Sequence, residues 1–213
     1  MTVTLYGAAV TRAARNYWAV EELGIDYVKK DVNMAKGEHK APAYLAVNPN
    51  GKLPAMVDGD LTLFESMAIN TYLADAYGQG SLQPDSAADR ARADQWAHWV
   101  MGECEKPLIG ALFHTLGIMG YAKDPAKVAE QRAALEGPLG VLDRALAGRD
   151  WLVGDRFTVA DLNVASVLHW GQMARLDWAP HQNVAAWLDR CFGRPAFKKV
   201  GQLAKADMAK MNG

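Results

Sequence analysis

The chain has 213 residues, 50% hydrophobic and 22% charged, with 23 basic against 24 acidic side chains and a net charge of −1. A half-apolar, charge-balanced composition excludes disorder and leaves no basic footprint for nucleic acid or an anionic membrane surface. Cys104 and Cys191 are too few for a disulfide scaffold or a four-cysteine zinc site. No apolar run reaches the ~18 residues of a membrane span, and the opening residues lack a secretory pattern, so a cytoplasmic protein is expected.

In chain order, Thr2 to Tyr6 alternates polar and apolar residues and predicts a strand. Thr11 to Leu23 carries Ala13, Ala14, Tyr17, Trp18, Val20 and Leu23 at helical spacing, with Gly24 as the stop. Asp26 to Asp31 predicts a short second strand, and Ala41 to Val47 a helical turn ended by Asn48-Pro49-Asn50-Gly51. Leu53 to Val57 and Asp60 to Phe64 form a hairpin joined by Asp58-Gly59. Ser66 then caps a helix over Met67 to Tyr77, which stops at Gly78. The order β-α-β-α-β-β-α predicts a thioredoxin-like α/β domain over residues 1–78. A Gly/Pro-bearing linker follows over 79–87, and an all-helical domain over 88–213. In that second part Thr158-Val159-Ala160-Asp161 fits a capping box, and Phe157 with Leu162 fits a hydrophobic staple, a structural device.

The stretch from Asn48 to Ile69 carries the most chemistry. Pro54 has no amide hydrogen, so Leu53 and Pro54 open the third strand with a backbone edge that can pair with an extended peptide. Glu65-Ser66 stands at a helix N-terminus, where a carboxylate is favoured. Lys52 and His39 flank this region and suit a second carboxylate. A peptide with a carboxylate at each end satisfies all three features. No Cys-x-x-Cys follows the first strand, which argues against thiol–disulfide exchange through a protein thiolate. The five histidines show no metal-ligand spacing, so no metal is expected.

The sequence resembles the cytosolic glutathione transferases: NPNGKLPA at 48–55, Asp58-Gly59, ESMAI at 65–69 and FTVADL at 157–162 stand in that family's order. KGEH at 36–39 resembles theta-type members, which points to a serine/threonine-type, bacterial-style protein. The resemblance implies a homodimer whose first domain holds glutathione as co-substrate, with no other cofactor, and whose helical domain lines the pocket for an apolar electrophile. It implies that Leu53 pairs with the cysteinyl unit beside a cis Pro54. Glu65 and Ser66 then take the γ-glutamyl end, and His39, Lys40 and Lys52 the glycyl carboxylate. Val10, Met101, Glu105 and Leu108 occupy positions where relatives line the electrophile pocket.

A free thiol with pKa near 8.5 is largely protonated at neutral pH. Lowering that value by two units takes about 2.7 kcal/mol of thiolate stabilisation. Serine-type relatives place their hydroxyl at the start of the first helix, where this chain has Thr11, followed by Arg12 and Arg15. Thr11 also fits as a plain N-cap. Tyr6 is the alternative thiolate donor, as in tyrosine-type relatives, although a strand-end Tyr also fits the core. Conjugation is the leading activity. A glutathione-dependent peroxidase or isomerase, or a non-catalytic glutathione-binding regulator of the same fold, are the alternatives.

Overall fold

Alternating burial along Val3–Tyr6 (β1) places Val3 and Leu5 in the interior of the first unit in the computed structural model, which describes residues 2–212. Strand β1 runs parallel to Tyr27–Lys30 (β2) in the register Val3↔Tyr27. It runs antiparallel to Ala55–Asp58 (β3), with Leu5 opposite Met56. Leu61–Phe64 (β4) closes the hairpin antiparallel to β3, giving the sheet order β2-β1-β3-β4. The turn is one residue later than expected. Asp58 is the last paired residue of β3, opposite Leu61, and Gly59-Asp60 make the turn, with Gly59 at φ 58°.

Helix α1 (Ala14–Leu23) ends at Gly24, whose φ of 62° is the left-handed stop foreseen. It starts three residues later than its apolar spacing suggested, because the Thr11 amide turns back onto the Ala8 carbonyl at 3.0 Å. Helix α2 (Pro42–Leu45) is a single turn with Pro at its start, and a 3-10 turn at Glu38–Lys40 precedes it. Helix α3 spans Ser66–Tyr77.

The division of the chain departs from the expected domains. One compact unit comprises Met1–Gln83 together with Gly193–Gly213, and the other Pro84–Phe192. The last helix, α9 (Pro195–Asn212), thus belongs with the sheet and not with the helical unit. Its anchor is α1: the Phe197 ring packs tilted against Trp18, 4.8 Å between centroids, and Arg194 grips Glu22 with two hydrogen bonds of 2.6 and 2.8 Å. Amphipathic spacing reveals that a helix has a burying face but not which surface receives it.

The second unit is helical. Helix α4 (Ala87–Trp99) is capped by Ser86 and passes through a π-helical turn, Val100–Cys104, into α5 (Glu105–Leu116). Helix α6 (Pro125–Leu146) starts at Asp124, whose carboxylate accepts from the Ala126 and Lys127 amides. Helix α7 (Val159–Met173) is buried along Val159–Leu168, and α8 (Gln182–Phe192) follows. The capping box at its start is formed, and it is tied further into the core. Asp161 accepts from the Leu152 amide and the Trp187 indole, each at 2.9 Å, as well as from the Thr158 amide at 3.0 Å. Burial pushes the Asp161 carboxyl up to about 6, against the opposing pull of those donors. Cys104 and Cys191 form no disulfide and are buried, and burial raises the Cys104 thiol to about 12. No helix of the described residues is long and apolar enough to cross a membrane.

Candidate functional site

The loop between β1 and α1 carries Thr11. It begins at Gly7, whose φ of +122° and whose approach to Ala13, 3.1 Å from where a Cβ would stand, require glycine. The Gly7 carbonyl accepts from the Tyr17 hydroxyl at 2.7 Å, and the Gly7 amide donates to the Lys30 carbonyl at 2.9 Å. Thr11 is half-buried. Its hydroxyl donates to the Ala8 carbonyl at 2.7 Å and accepts from the Ala13 amide at 3.2 Å. Thr11 therefore braces the entry to α1, with a hydroxyl proton that can turn about the Cβ–Oγ bond. Tyr6 is engaged differently. Its half-buried ring lies 6.0 Å from Tyr44 and packs against the Tyr44–Leu53–Ala55 cluster, with the Lys30 ammonium 5.5 Å from its face.

The Leu53-Pro54 bond is cis. Strand pairing starts at Ala55 and not, as expected, at Leu53, so Leu53 and Pro54 lie just outside the ladder. The Leu53 side chain is buried with Tyr44 and Ala55. Just upstream, the Lys52 carbonyl accepts from the Tyr44 hydroxyl at 2.6 Å and the Asn48 amide at 2.7 Å. Gly51, at φ +57°, comes so close to the 3-10 turn that a Cβ would lie 2.8 Å from both the His39 carbonyl and Lys40 Nζ. Lys40 donates to the Asn50 carbonyl at 3.3 Å. His39, Lys40 and the 50–52 segment therefore share one corner, where Lys40 and Lys52 are exposed and His39 is half-buried. His39 Nδ1 is buried and meets no hydrogen-bond partner among the described residues.

Glu65 occupies φ 72°, ψ 113°, a conformation that a non-glycine residue holds at a cost of about 1–3 kcal/mol. It stands at the N-cap of α3, which has no side-chain cap hydrogen bond. Ser66 is thus not the cap it was expected to be. It is the first helical residue, almost fully buried, and its hydroxyl accepts from Arg15 Nη1 at 3.2 Å. Asn16 holds the same turn, donating to the Ser66 carbonyl at 2.9 Å and to Asn70 at 2.7 Å. Arg15, noted in the sequence after Thr11, thus reaches Ser66 on α3. Asn16 and Asn70 were missed; the available signal was polar residues standing among apolar helical runs. With its first amides uncapped and a strained residue before it, the start of α3 is suited to receive a carboxylate.

The four residues assigned to the electrophile pocket are dispersed in character. Val10 is exposed in the β1–α1 loop, and Met101 is half-buried in the π-helical turn. Glu105 is buried where the π-helical turn passes into α5. Leu108 is fully buried, with its Cδ2 close against Gly171 in the helical core, and that placement corrects its assignment to a pocket wall. A helical face at i, i+4, i+7 reads the same whether it faces a ligand or a core.

Comparison with known proteins bears on what this site serves. Residues 1–75 match the family described as glutathione S-transferase, N-terminal domain, and residues 106–195 that described as glutathione S-transferase, C-terminal domain. The chain is 32% identical over 207 residues to glutathione S-transferase F9 of Arabidopsis thaliana, covering 94% of this chain and 96% of the relative. It is 32% identical over 201 residues to glutathione S-transferase GstB of Escherichia coli strain K12, covering 93% and 97%. Its fold is similar to the structure of glutathione S-transferase-I bound with the ligand lactoylglutathione. That match has a TM-score of 0.86 and 33% identity, over 95% of this chain and 100% of the other.

Proposed function

The chain belongs to the glutathione S-transferase family, and we propose that it activates the glutathione thiol through Thr11 for attack on an apolar electrophile. Glutathione lies with its cysteinyl backbone at Leu53, beside the cis Pro54. Its γ-glutamyl end sits at Glu65, Ser66 and the uncapped start of α3, with the carboxylate on the helix start and the ammonium toward Glu65. Its glycyl carboxylate sits at His39, Lys40 and Lys52. Two observations support this placement: the exposed ammonium groups and the unpartnered His39 Nδ1 gathered at one corner, and the glutathione-derived ligand in a relative 33% identical.

One observation carries the mechanism. The Thr11 proton rests on a neutral carbonyl, that of Ala8, at 2.7 Å. A thiolate is a stronger acceptor, and hydrogen bonds to charged groups contribute about 1.5–3 kcal/mol. Together with the start of α1, that reaches the roughly 2.7 kcal/mol a two-unit drop in thiol pKa requires. The thiol proton leaves to solvent. The thiolate electron pair then forms the carbon–sulfur bond as the electrophile's leaving group departs with its own pair. The β-methyl of threonine limits χ1, so Thr11 presents fewer orientations than serine does.

The family resemblance also supports a cytoplasmic homodimer, in which exposed Leu61 and Phe64 on the edge strand β4 have apolar surface to cover. The decisive experiment is a pH titration of thiolate ultraviolet absorbance in the glutathione complex. Thr11→Ala is expected to raise the thiol pKa and lower kcat by about ten-fold or more, with glutathione KM nearly unchanged. Thr11→Ser keeps both close to wild type. An unchanged thiol pKa in Thr11→Ala transfers the role to Tyr6 or to backbone amides, which Tyr6→Phe separates.

A further inference from the structure

The loop that carries Thr11 is held from the far end of the chain. Asp207, in α9, is 4% exposed although it is a carboxylate. Its Oδ2 accepts from the Ala9 amide at 2.7 Å, across 198 residues of sequence. Its Oδ1 accepts from Lys29 Nζ at 2.8 Å, and Lys29 stands on β2 opposite Leu5 of β1. Lys29 also pairs with Asp31, which Lys210 of α9 approaches to 3.5 Å. Burial acts to lower the Lys29 pKa, but the hydrogen bonds to Asp207 and Asp31 outweigh it and keep the ammonium charged. The carboxylate is therefore fixed on one oxygen by an ion pair rooted in the sheet, while the other holds a single loop amide.

Ala9 follows directly on Ala8, whose carbonyl holds both the hydroxyl and the amide of Thr11. The other tethers of this loop, Tyr17 and the Lys30 carbonyl, grip it at Gly7. A charge-assisted bond to the middle of the loop restrains the segment between that anchor and α1. We infer that Asp207 is a positioning residue for the thiolate site: through the Ala9 amide it sets where Ala8 and the Thr11 hydroxyl stand. This rests on the reading of Thr11 given above. The docking of α9 on α1 through Trp18–Phe197 and Glu22–Arg194 brings Asp207 to the loop, so the C-terminal helix belongs to the machinery of the N-terminal unit.

Thiolate titration and steady-state kinetics test this on the full-length protein. In Asp207→Ala the thiol pKa of bound glutathione is expected to rise and kcat to fall about ten-fold, short of the roughly 100-fold that an ångström of misplacement costs. Glutathione KM should stay within about two-fold, because the carboxylate sites are untouched. Asp207→Asn, which keeps one oxygen for the Ala9 amide but turns an NH2 group toward Lys29, should recover part of the rate lost in Asp207→Ala. The Thr11→Ala, Asp207→Ala double variant should be no slower than Thr11→Ala alone, since the two act through one hydroxyl. If Thr11→Ala raises the thiol pKa but Asp207→Ala leaves it unchanged, this inference alone falls. If Thr11→Ala has no effect, the assignment of Thr11 falls first. Additive losses in the double variant also overturn the inference. Should Asp207→Ala not fold, hydrogen exchange at the wild-type Ala9 amide decides: protection like that of β1 supports the tether, and exchange as fast as in an open surface loop refutes it.

Discussion

Replacing Asp161 with alanine removes one carboxylate and strands three donors in the core of the helical unit. The Leu152 amide and the Trp187 indole lose Oδ1, and the Thr158 amide loses Oδ2. Each unsatisfied buried donor costs about 1–3 kcal/mol, so the loss is about 6 kcal/mol at mid-range. The substitution also removes a buried charge. A carboxyl raised from 3.8 to about 6 stands about 3 kcal/mol above its unperturbed ionised state at pH 7. The balance is a destabilisation of about 3 kcal/mol, a large share of the 5–15 kcal/mol typical of a folded protein. Urea unfolding followed by circular dichroism, at one fixed protein concentration, measures it. Asp161→Asn keeps Oδ1 for Leu152 and Trp187 and strands only the Thr158 amide. The roughly 2 kcal/mol this costs is offset by the removed charge, so the variant should stay within about 1 kcal/mol of wild type at pH 7. If Asp161→Ala loses less than about 1 kcal/mol with an unchanged m-value, the capping network is not what holds the start of α7.

Two further outcomes are expected. Because the folded Asp161 pKa of about 6 lies above its unfolded value of 3.8, its stabilising contribution is complete below 3.8 and is lost as pH rises through 6. The stability of the wild type relative to Asp161→Asn should therefore rise by about 2 kcal/mol between pH 7 and pH 4. A flat or opposite trend in urea midpoints would mean that the donors outweigh desolvation. At the start of α3, Ser66→Ala removes the acceptor of Arg15 Nη1 and one hydroxyl from the proposed γ-glutamyl site. Glutathione affinity, followed by tryptophan fluorescence, should weaken about ten-fold, the equivalent of about 1.4 kcal/mol, while kcat at saturation stays near wild type. Wild-type affinity would remove Ser66 from the site.

Signals confined to a few neighbouring residues were legible without the fold. The alternation of Val3–Tyr6 gave β1, Gly24 marked the end of α1, and Thr158 with Asp161 marked the start of α7. In each case the hydrogen bonds or side-chain period involved close within one turn or one strand. Motif order carried the family, and the candidate glutathione residues came with it. Legibility failed where a local group had a distant competitor. Ser66 looks like a cap, but its hydroxyl is held by Arg15, 51 residues earlier in the chain. Leu108 sits on a plausible ligand-facing stripe, yet it packs against Gly171.

Residues 193–213 fall within the expected helical domain, yet they fold with the sheet. The sequence determined that this stretch is helical, as Pro195–Asn212 is, because helix formation depends on backbone hydrogen bonds four residues apart. Packing decided that the helix meets α1 and that Asp207 reaches the Ala9 amide. A contact between residues 198 apart leaves no periodic trace in either segment, and only the folded chain brings the two together.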